Sequence, residues 1–446
     1  MIVMKFCGTS VESAAAIERV AGIVRARVNR HPVVVVSAMG KTTNRLLASA
    51  NHAVSGRRDE ALRELLSLRD FHLRESAMER TVDEHFQELS ELIKGLAILG
   101  ELTPRSIDAI TSFGERLSSL IVANHFKKLG MKAAHVDSRK VIVTDNRHTQ
   151  AAPLFPETYS RLAECIPKLA ADRVVVMGGF IGSTREGVTT TLGRGGSDFT
   201  ASIVGAGIGA EEIQIWTDVD GMLTADPRIM PGGRRVRLCS FDEAAELAYF
   251  GAKVLHPATV LPAVEKNIPV LILNSRRPEV EGTRIIADHV HSTNVVKAIA
   301  CKKDIVLVNI HSTRMLMAHG FLHRIFEIFN RYETPVDMIA TSEVSVSLTV
   351  DSAQALDPIR RELEQFAEVS IENGQSVICL VGENIRHTPG VAARVFSALG
   401  NINVRMLSQG ASRLNISFVV ATEDLEPAVK SLHEQFFSEL DPTVFD

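Results

Sequence analysis

Ile2-Val3-Met4-Lys5-Phe6-Cys7-Gly8-Thr9-Ser10 opens the chain. A short apolar run, suited to a buried strand, ends with Lys5 and Phe6 and passes straight into small, hydroxyl-bearing residues. A lysine ending a strand, small residues that let backbone amides approach an anion, and a hydroxyl at a helix start suit a phosphate site. Far downstream, Thr189-Thr190-Thr191-Leu192-Gly193-Arg194-Gly195-Gly196-Ser197-Asp198 adds glycines, an arginine and a carboxylate in one tight segment. Lysine, arginine and backbone donors stabilise a transferring phosphoryl group, and carboxylates hold ammonium groups or Mg2+. With no GxxxxGK run in the sequence, the two stretches together point to phosphoryl transfer outside the Walker type.

Around the opening strand, Val33 to Ser37, Val174 to Gly178, Ile213 to Thr217 and Val270 to Leu273 read as further short buried strands, rich in Val and Ile and bounded by Gly, Ser or Asp. Helical patterns lie between them, as in Val11 to Arg27 with apolar Ile17, Val20, Ala21, Ile23 and Val24. This alternation predicts an α/β fold with an open, mostly parallel sheet and ligands at the carboxyl ends of its strands. Arg57 to Gly100 is charged, helical in pattern and strand-free, and reads as a helical insertion covering the substrate side.

The last third contains an internal repeat. Gly320-Phe321-Leu322-His323-Arg324-Ile325-Phe326 is echoed by Gly390-Val391-Ala392-Ala393-Arg394-Val395-Phe396. Each copy leads to a Val-x-Met segment and then to an alternating strand, Ser342 to Leu348 in the first and Ser412 to Phe418 in the second. Alternation predicts strands buried on one face only. Two copies of a small βαββ-type unit make a paired domain and not a solenoid. A polar stretch, Asp288 to Asn294, marks the boundary.

At 446 residues, two or three domains are expected, and 45% hydrophobic with 23% charged residues is an ordinary globular composition. A net charge of −4 gives no general attraction to nucleic acid or to an anionic membrane. No signal-peptide pattern or bilayer-length apolar run is read, and the five cysteines are scattered without a CxxC pair. These features predict a reduced, cytoplasmic protein without nucleic-acid or membrane partners.

Read in order, these fragments closely resemble the aspartate kinases of the amino acid kinase superfamily, especially the monofunctional, lysine-sensitive type with tandem C-terminal ACT domains. The resemblance runs through Lys5 to Ser10, Phe113-Gly114-Glu115, Gly178 to Gly182, Leu192 to Asp198, Trp216 to Gly221, Asp226-Pro227-Arg228, Phe250 to Pro257 and Thr341 to Val346. It implies an amino acid kinase catalytic domain over 1–290, with the insertion at about 57–100, followed by two α+β, ferredoxin-like ACT domains. The first would span 305–374, and the second 295–303 plus 375–446.

The reaction it implies is phosphorylation of the β-carboxylate of L-aspartate by ATP with Mg2+, giving 4-phospho-L-aspartate. A carboxylate is already nucleophilic, so the difficulty is bringing two anions together. The resemblance assigns Lys5 to bridge the substrate carboxylate and the phosphoryl group, with Gly8, Thr9, Ser10, Ser37 and Ala38 completing the cradle. Glu115, helped by Thr43, would hold the α-ammonium. Arg194 and Ser197 would meet the α-carboxylate, and Asp198 would fix Lys5 or orient the metal-bound phosphates. Thr217, Asp218, Leu223, Asp226, Arg228 and Lys253 fall where the family binds nucleotide. Plainer readings stand beside these. Glu115 could lie on a solvated helix face, Arg194 and Asp198 could pair with each other at a helix start with Asp198 simply a cap, and Cys7 could be a small buried hydrophobe.

Two departures from the family stand out. Cys7 occupies a usual glycine position, where a positive φ or a close backbone approach would make a Cβ costly. Beside Lys5 and a helix start it is also expected to react with alkylating agents. Leu223 replaces an aromatic residue near the adenine. In the first repeat, Met315, Ala318, Gly320, Phe321, Leu322, Val336, Asp337 and Glu343 are the implied effector site. Lysine is the implied effector, with threonine, methionine-pathway metabolites or none as alternatives, and a homodimer or tetramer would form through the ACT domains. Two other functions remain open: a different activity within the superfamily, and a non-catalytic amino-acid sensor.

Overall fold

The computed structural model describes residues 1–251, 257–315 and 319–446, without the side chain of Arg314. Its contacts divide the chain into two compact units, 1–222 with 254–288, and 223–253 with 289–446. Residues 223–253, which the sequence reading puts in the catalytic part, thus cluster with the C-terminal unit.

The first unit begins with β1 (Ile2–Phe6), α1 (Ala14–Arg25), β2 (Pro32–Val36) and α2 (Thr42–Val54). The predicted helix from Val11 starts later because Ser13, with extended backbone, caps α1 by accepting from the Ala16 amide at 3.2 Å. The strand-free stretch forms the long helices α3 (Arg58–Ser76) and α4 (Glu79–Leu99). Then come α5 (Pro104–Thr111), α6 (Phe113–Lys128), β3 (Ala133–Val136), α7 (Phe155–Ala170), β4 (Val174–Gly178), β5 (Ile181–Ser183), β6 (Thr189–Thr191), α8 (Gly196–Ile208) and β7 (Glu212–Thr217).

After β8 (Met222–Leu223), β9 (Arg235–Val236), β10 (Leu238–Ser240) and α9 (Phe241–Tyr249), the chain returns to this unit through α10 (Leu261–Glu265), β11 (Val270–Asn274) and β12 (Thr283–Ile286). The main strands of the first unit lie in the order β12-β11-β7-β1-β2-β4-β3. All these pairings are parallel except β11 with β12. β1, β2 and β4 are buried along their whole length, which explains their near-continuous Val and Ile.

The second unit holds a six-stranded antiparallel sheet in the order β14-β15-β13-β16-β18-β17. Its strands are β13 (Ala298–His311), β14 (Ile339–Thr341), β15 (Ser345–Val350), β16 (Glu368–Val381), β17 (Met406–Gln409) and β18 (Asn415–Ala421). Its helices are α11 (Phe321–Arg331), α12 (Leu356–Leu363), α13 (Val391–Leu399) and α14 (Leu425–Phe436). The repeat is visible in α11 and α13, which start after glycines at φ +80° and +82°. β13 and β16 are each 14 residues long and pair along both halves of the sheet, with register shifts between Lys302 and Leu307.

The alternating strands begin later than the sequence suggests. Ser342 and Ser412 each turn a hydroxyl back to accept a nearby backbone amide, from Ser345 and Leu414 respectively, both at 3.1 Å. The first residues are therefore spent on turns. β18 is also buried on both faces for six of its seven residues, against the one-sided expectation. At the strand's entry, Glu246 of α9 accepts from Ser412 and Asn415, both at 2.6 Å.

Candidate active site

The carboxyl ends of β1, β2 and β7 converge through their backbones. Ser37 N–H donates to the Phe6 carbonyl, and Cys7 N–H to that of Trp216, both at 3.1 Å. Gly8 must be glycine for steric reasons: a Cβ there would stand 2.8 Å from the carbonyl oxygens of Ala38 and Gly40. The loops after β1 and β2 are thereby pressed together. The segment after β1 is a 3-10 turn, Gly8–Ser10, and not the start of the α-helix as expected. Cys7 has φ −72° and ψ 169°, ordinary extended backbone, so its Cβ carries no backbone strain there. Its Sγ lies 3.1 Å from Thr9 Oγ1 and 3.2 Å from Ser10 Oγ. Ser10 Oγ also meets Ser275 Oγ at 2.7 Å, which ties this turn to the segment after β11.

Lys5, 6% exposed between Val35 and Ile215, pairs through Nζ with Asp198 Oδ1 at 2.7 Å. A buried ammonium is tolerated only with such a partner. Asp198 lies in the first turn of α8, whose N-cap is Gly195. Neither the cap role nor the Asp198–Arg194 pair of the plainer reading is formed. Arg194 is exposed and makes no ion pair or hydrogen bond among the described residues. Ser197 lies beside Gly179, at which a Cβ would stand 2.6 Å from the serine Cβ.

Glu115 is in the first turn of α6 and 4% exposed, not on a solvated face. Its Oε1 accepts from the Ala38 amide at 3.1 Å, and its buried Oε2 has no partner. Burial pushes the carboxyl up to about 8, with the Ala38 amide pulling the other way. Gly114 lets α6 approach closely, since a Cβ there would be 2.7 Å from Ala38 Cβ and 3.4 Å from Thr43 Oγ1. Lys5, Gly8, Thr9, Ser37, Ala38, Thr43, Glu115, Ser197 and Asp198 thus come together on the ends of neighbouring elements. The cluster offers a cation–carboxylate pair and a buried acid with one oxygen left without a partner among the described residues. It can oppose an anion with Lys5 and take up an ammonium at Glu115.

The implied nucleotide residues belong to both units. Thr217, ending β7, donates to exposed Asp218 at 3.2 Å. In the second unit Leu223 is half-buried, and Asp226 and Arg228 form a closed pair, Nη2 to Oδ2 at 2.6 Å. Arg228 holds the Asp226 carboxyl below the usual range. That pair neutralises two charges expected to face a nucleotide. Lys253 lies outside the described residues.

The implied effector set is in the second unit. Half-buried Met315 packs against the core beneath α11, Gly320 caps α11, and the amides of Phe321 and Leu322 are in its first turn. Val336 packs against the same core. Asp337 is already engaged: Lys302 Nζ is 2.8 Å from Oδ2, and Tyr249 donates to Oδ1 at 2.9 Å. Lys302 also pairs with Asp351. Glu343 is exposed in the turn before β15 and not on the strand. The Asp337 amide donates to Thr349. The two acids therefore mark opposite ends of the hairpin, about 13 Å apart at 3.3 Å per residue. Ala318 lies outside the described residues. Tyr249 and Lys302 escape the sequence reading because nothing in their local pattern marks them; only the fold brings them to Asp337.

A parallel sheet with a lysine–aspartate pair and a buried acid at its carboxyl edge defines a class of phosphotransferase, and residues 1–274 match the amino acid kinase family. Residues 378–436 match the ACT domain. Aspartokinase 2, chloroplastic, of Arabidopsis thaliana is 40% identical over 463 residues, 99% of this chain and 85% of that protein. The crystal structure of E. coli aspartokinase III in complex with aspartate and ADP (R-state) is similar at TM-score 0.84 and 34% identity, covering 98% of this chain and all of that one. The same enzyme with lysine and aspartate (T-state) is similar at TM-score 0.83 and 36% identity, covering 98% and 100%. The chain belongs to the aspartokinases of the amino acid kinase family.

Proposed function

We propose that the pocket transfers the γ-phosphoryl group of ATP to the β-carboxylate of L-aspartate, and that an amino acid controls the reaction through the C-terminal unit. The observation that carries the substrate is the unpartnered, buried Oε2 of Glu115 near the Lys5–Asp198 pair. A buried carboxyl short of a partner is matched by an ammonium, and an amino-dicarboxylate supplies one beside the carboxylate that reacts. A coupled ADP-release assay tests this. Aspartate is turned over, whereas glutamate and acetylglutamate are not; turnover of acetylglutamate in place of aspartate overturns the reading.

Lys5 bridges the attacking carboxylate and the phosphoryl group, its ammonium held at the end of β1 by the ion pair with Asp198. Gly8, Thr9, Ser37 and Ala38 line the cradle, Glu115 and Thr43 hold the α-ammonium, and Arg194 with Ser197 takes the α-carboxylate. Arg194 suits this role because among the described residues no carboxylate competes for its planar fork. No base is needed, because the attacking oxygen is already anionic. Thr217, Asp218, Leu223, Asp226, Arg228 and Lys253 are the residues that the family resemblance implies for the nucleotide.

Mg2+ fits the carboxylate chemistry of this site, where Asp198 stands beside Lys5. An ion that arrives on the phosphates needs only one or two carboxylates. Asp198, with one oxygen facing Lys5, would hold it, and the ion would neutralise phosphate charge.

We place the catalytic domain at 1–290 and the ACT domains at 305–374 and at 295–303 with 375–446. Exposed Ile339 on β14 and Leu407 on β17 support self-association of the ACT unit as a homodimer or tetramer. Five free cysteines fit a reducing, cytoplasmic setting.

Cys7 gives a direct probe of the cradle. Iodoacetamide modifies it, and saturating ATP with Mg2+ slows the modification; equal rates with and without nucleotide place the thiol away from the phosphates.

Lysine is the effector we favour, because Asp337 suits an ammonium group and the free amides of Phe321 and Leu322 in the first turn of α11 suit the α-carboxylate. Binding requires the ligand to take the place of Lys302 at Asp337. Millimolar lysine lowers the activity of the unaltered protein, and Asp337→Ala weakens that inhibition at least about tenfold, the scale of one charge-assisted bond. Equal inhibition of both proteins removes Asp337 from the site.

A further inference from the structure

The candidate site does not use Asp108, yet both oxygens of this buried carboxylate are engaged. Asp108 lies on α5 and is 0% exposed. The Thr191 hydroxyl donates to its Oδ1 at 2.5 Å. The Thr149 amide donates to both oxygens at 3.0 and 3.1 Å, and His148 Nδ1 stands 2.7 Å from Oδ2. A buried carboxylate is costly unless its oxygens are satisfied, and here three neighbours satisfy both.

Those neighbours converge on one place. Thr191 ends β6, directly before the turn that carries Arg194. Its carbonyl accepts from the Ala151 amide at 3.0 Å, joining the 148–151 turn to β6. Thr149 itself is left-handed, at φ +70°, unfavourable for a β-branched residue and maintained only where surroundings over-determine it. The Thr149 carbonyl in turn lies 3.2 Å from where a Cβ on Gly193 would stand, so it walls the turn at Gly193, φ +76°. In that turn, Arg194 has no side-chain partner among the described residues to orient it. Its location is set by the backbone on either side, and Asp108 anchors the preceding side.

We propose that Asp108 is a positioning residue for substrate recognition, acting through Thr191 and Thr149 on the Gly193–Gly195 turn that presents Arg194. The proposal rests on the reading that Arg194 binds the α-carboxylate of the substrate. An amide cannot replace this carboxylate without loss. The Thr149 N–H reaches both oxygens, so either orientation of asparagine sets an NH2 group against a donor.

Asp108→Asn raises the aspartate KM about ten- to a hundredfold, the range for a slightly misplaced binding group. The ATP KM and kcat stay within about threefold, the pattern of lost ground-state binding. Thr191→Val gives the same KM-only signature more weakly, and Thr191→Ser restores the original value. The effect of Asp108→Asn disappears on an Arg194→Ala background. An unchanged aspartate KM in Asp108→Asn overturns the proposal, as does a parallel loss of kcat and both affinities, or an undiminished effect in the double variant. If Asp108→Asn does not fold, an unchanged aspartate KM in Thr191→Val overturns it instead. An Arg194→Ala variant with the original aspartate KM refutes the reading of Arg194 itself, a result distinct from all of these.

Discussion

Replacing Lys5 with alanine lowers the turnover of aspartate by at least about a hundredfold, the scale for loss of one preorganised electrostatic donor. Lys5 is buried, its Nζ is 2.7 Å from Asp198, and it ends a strand whose neighbours are fixed in register on both sides. No side-chain search is therefore needed when charge develops between the attacking oxygen and the phosphoryl group. Without the cation, two anions meet beside Asp198, whose own charge then repels them. A double replacement, Lys5→Ala with Asp198→Ala, relieves that repulsion but does not restore turnover. Near-normal turnover in folded Lys5→Ala, checked by thermal unfolding, removes Lys5 from the chemistry.

Glu115→Gln raises the aspartate KM by a hundredfold or more. Removing one partner of a buried charge pair costs roughly 3–5 kcal/mol, and each 1.4 kcal/mol is a tenfold change. The pH behaviour makes the prediction specific. Burial pushes the free carboxyl from an ordinary 4.5 up to about 8. Between those values the folded chain binds a proton that the unfolded chain has lost, so stability falls as pH rises through the window. Glu115→Gln removes that decline and leaves the ligand-free protein more stable than the unaltered one at pH 8. An arriving ammonium favours the carboxylate, so aspartate binding near pH 7 releases up to one proton. Calorimetry in buffers of different ionisation heat measures that release, and Glu115→Gln abolishes it. A KM unchanged by the substitution would falsify the role of Glu115.

The parallel sheet was legible because strands buried on both faces must be continuous Val and Ile runs, and such runs have few alternatives. The helical insertion was legible for the opposite reason, being long, charged and periodic. Lys5 could be singled out because an ammonium at the end of an apolar strand needs a partner. Glu115 was harder to separate from a solvated glutamate, since the helix around it shows no sharp polar face. Its burial depends on Gly114 letting α6 close onto the loop after β2, a contact between distant segments. The strand starts in the repeats were missed because Ser342 and Ser412 act through side chain-to-backbone bonds, which compete with the ladder without altering the alternating pattern. Asp108, Tyr249 and Lys302 carry no local signature at all; each acquires its meaning from partners far along the chain.

The shared strands of the C-terminal sheet also constrain how this protein can be cut. β13 pairs with β16 first through Ala298–Lys302 and then, past the register shift, through Ile305–His311. One half of the sheet therefore takes its central strand from a segment that precedes the whole of the other half. A genetic break between the two repeats cannot yield two self-sufficient modules, because the later fragment leaves behind the strand that should lie beside its own first one. The pair is inheritable only as a single block, and any duplication, fusion or exchange that preserves it must carry the entire span from β13 to α14.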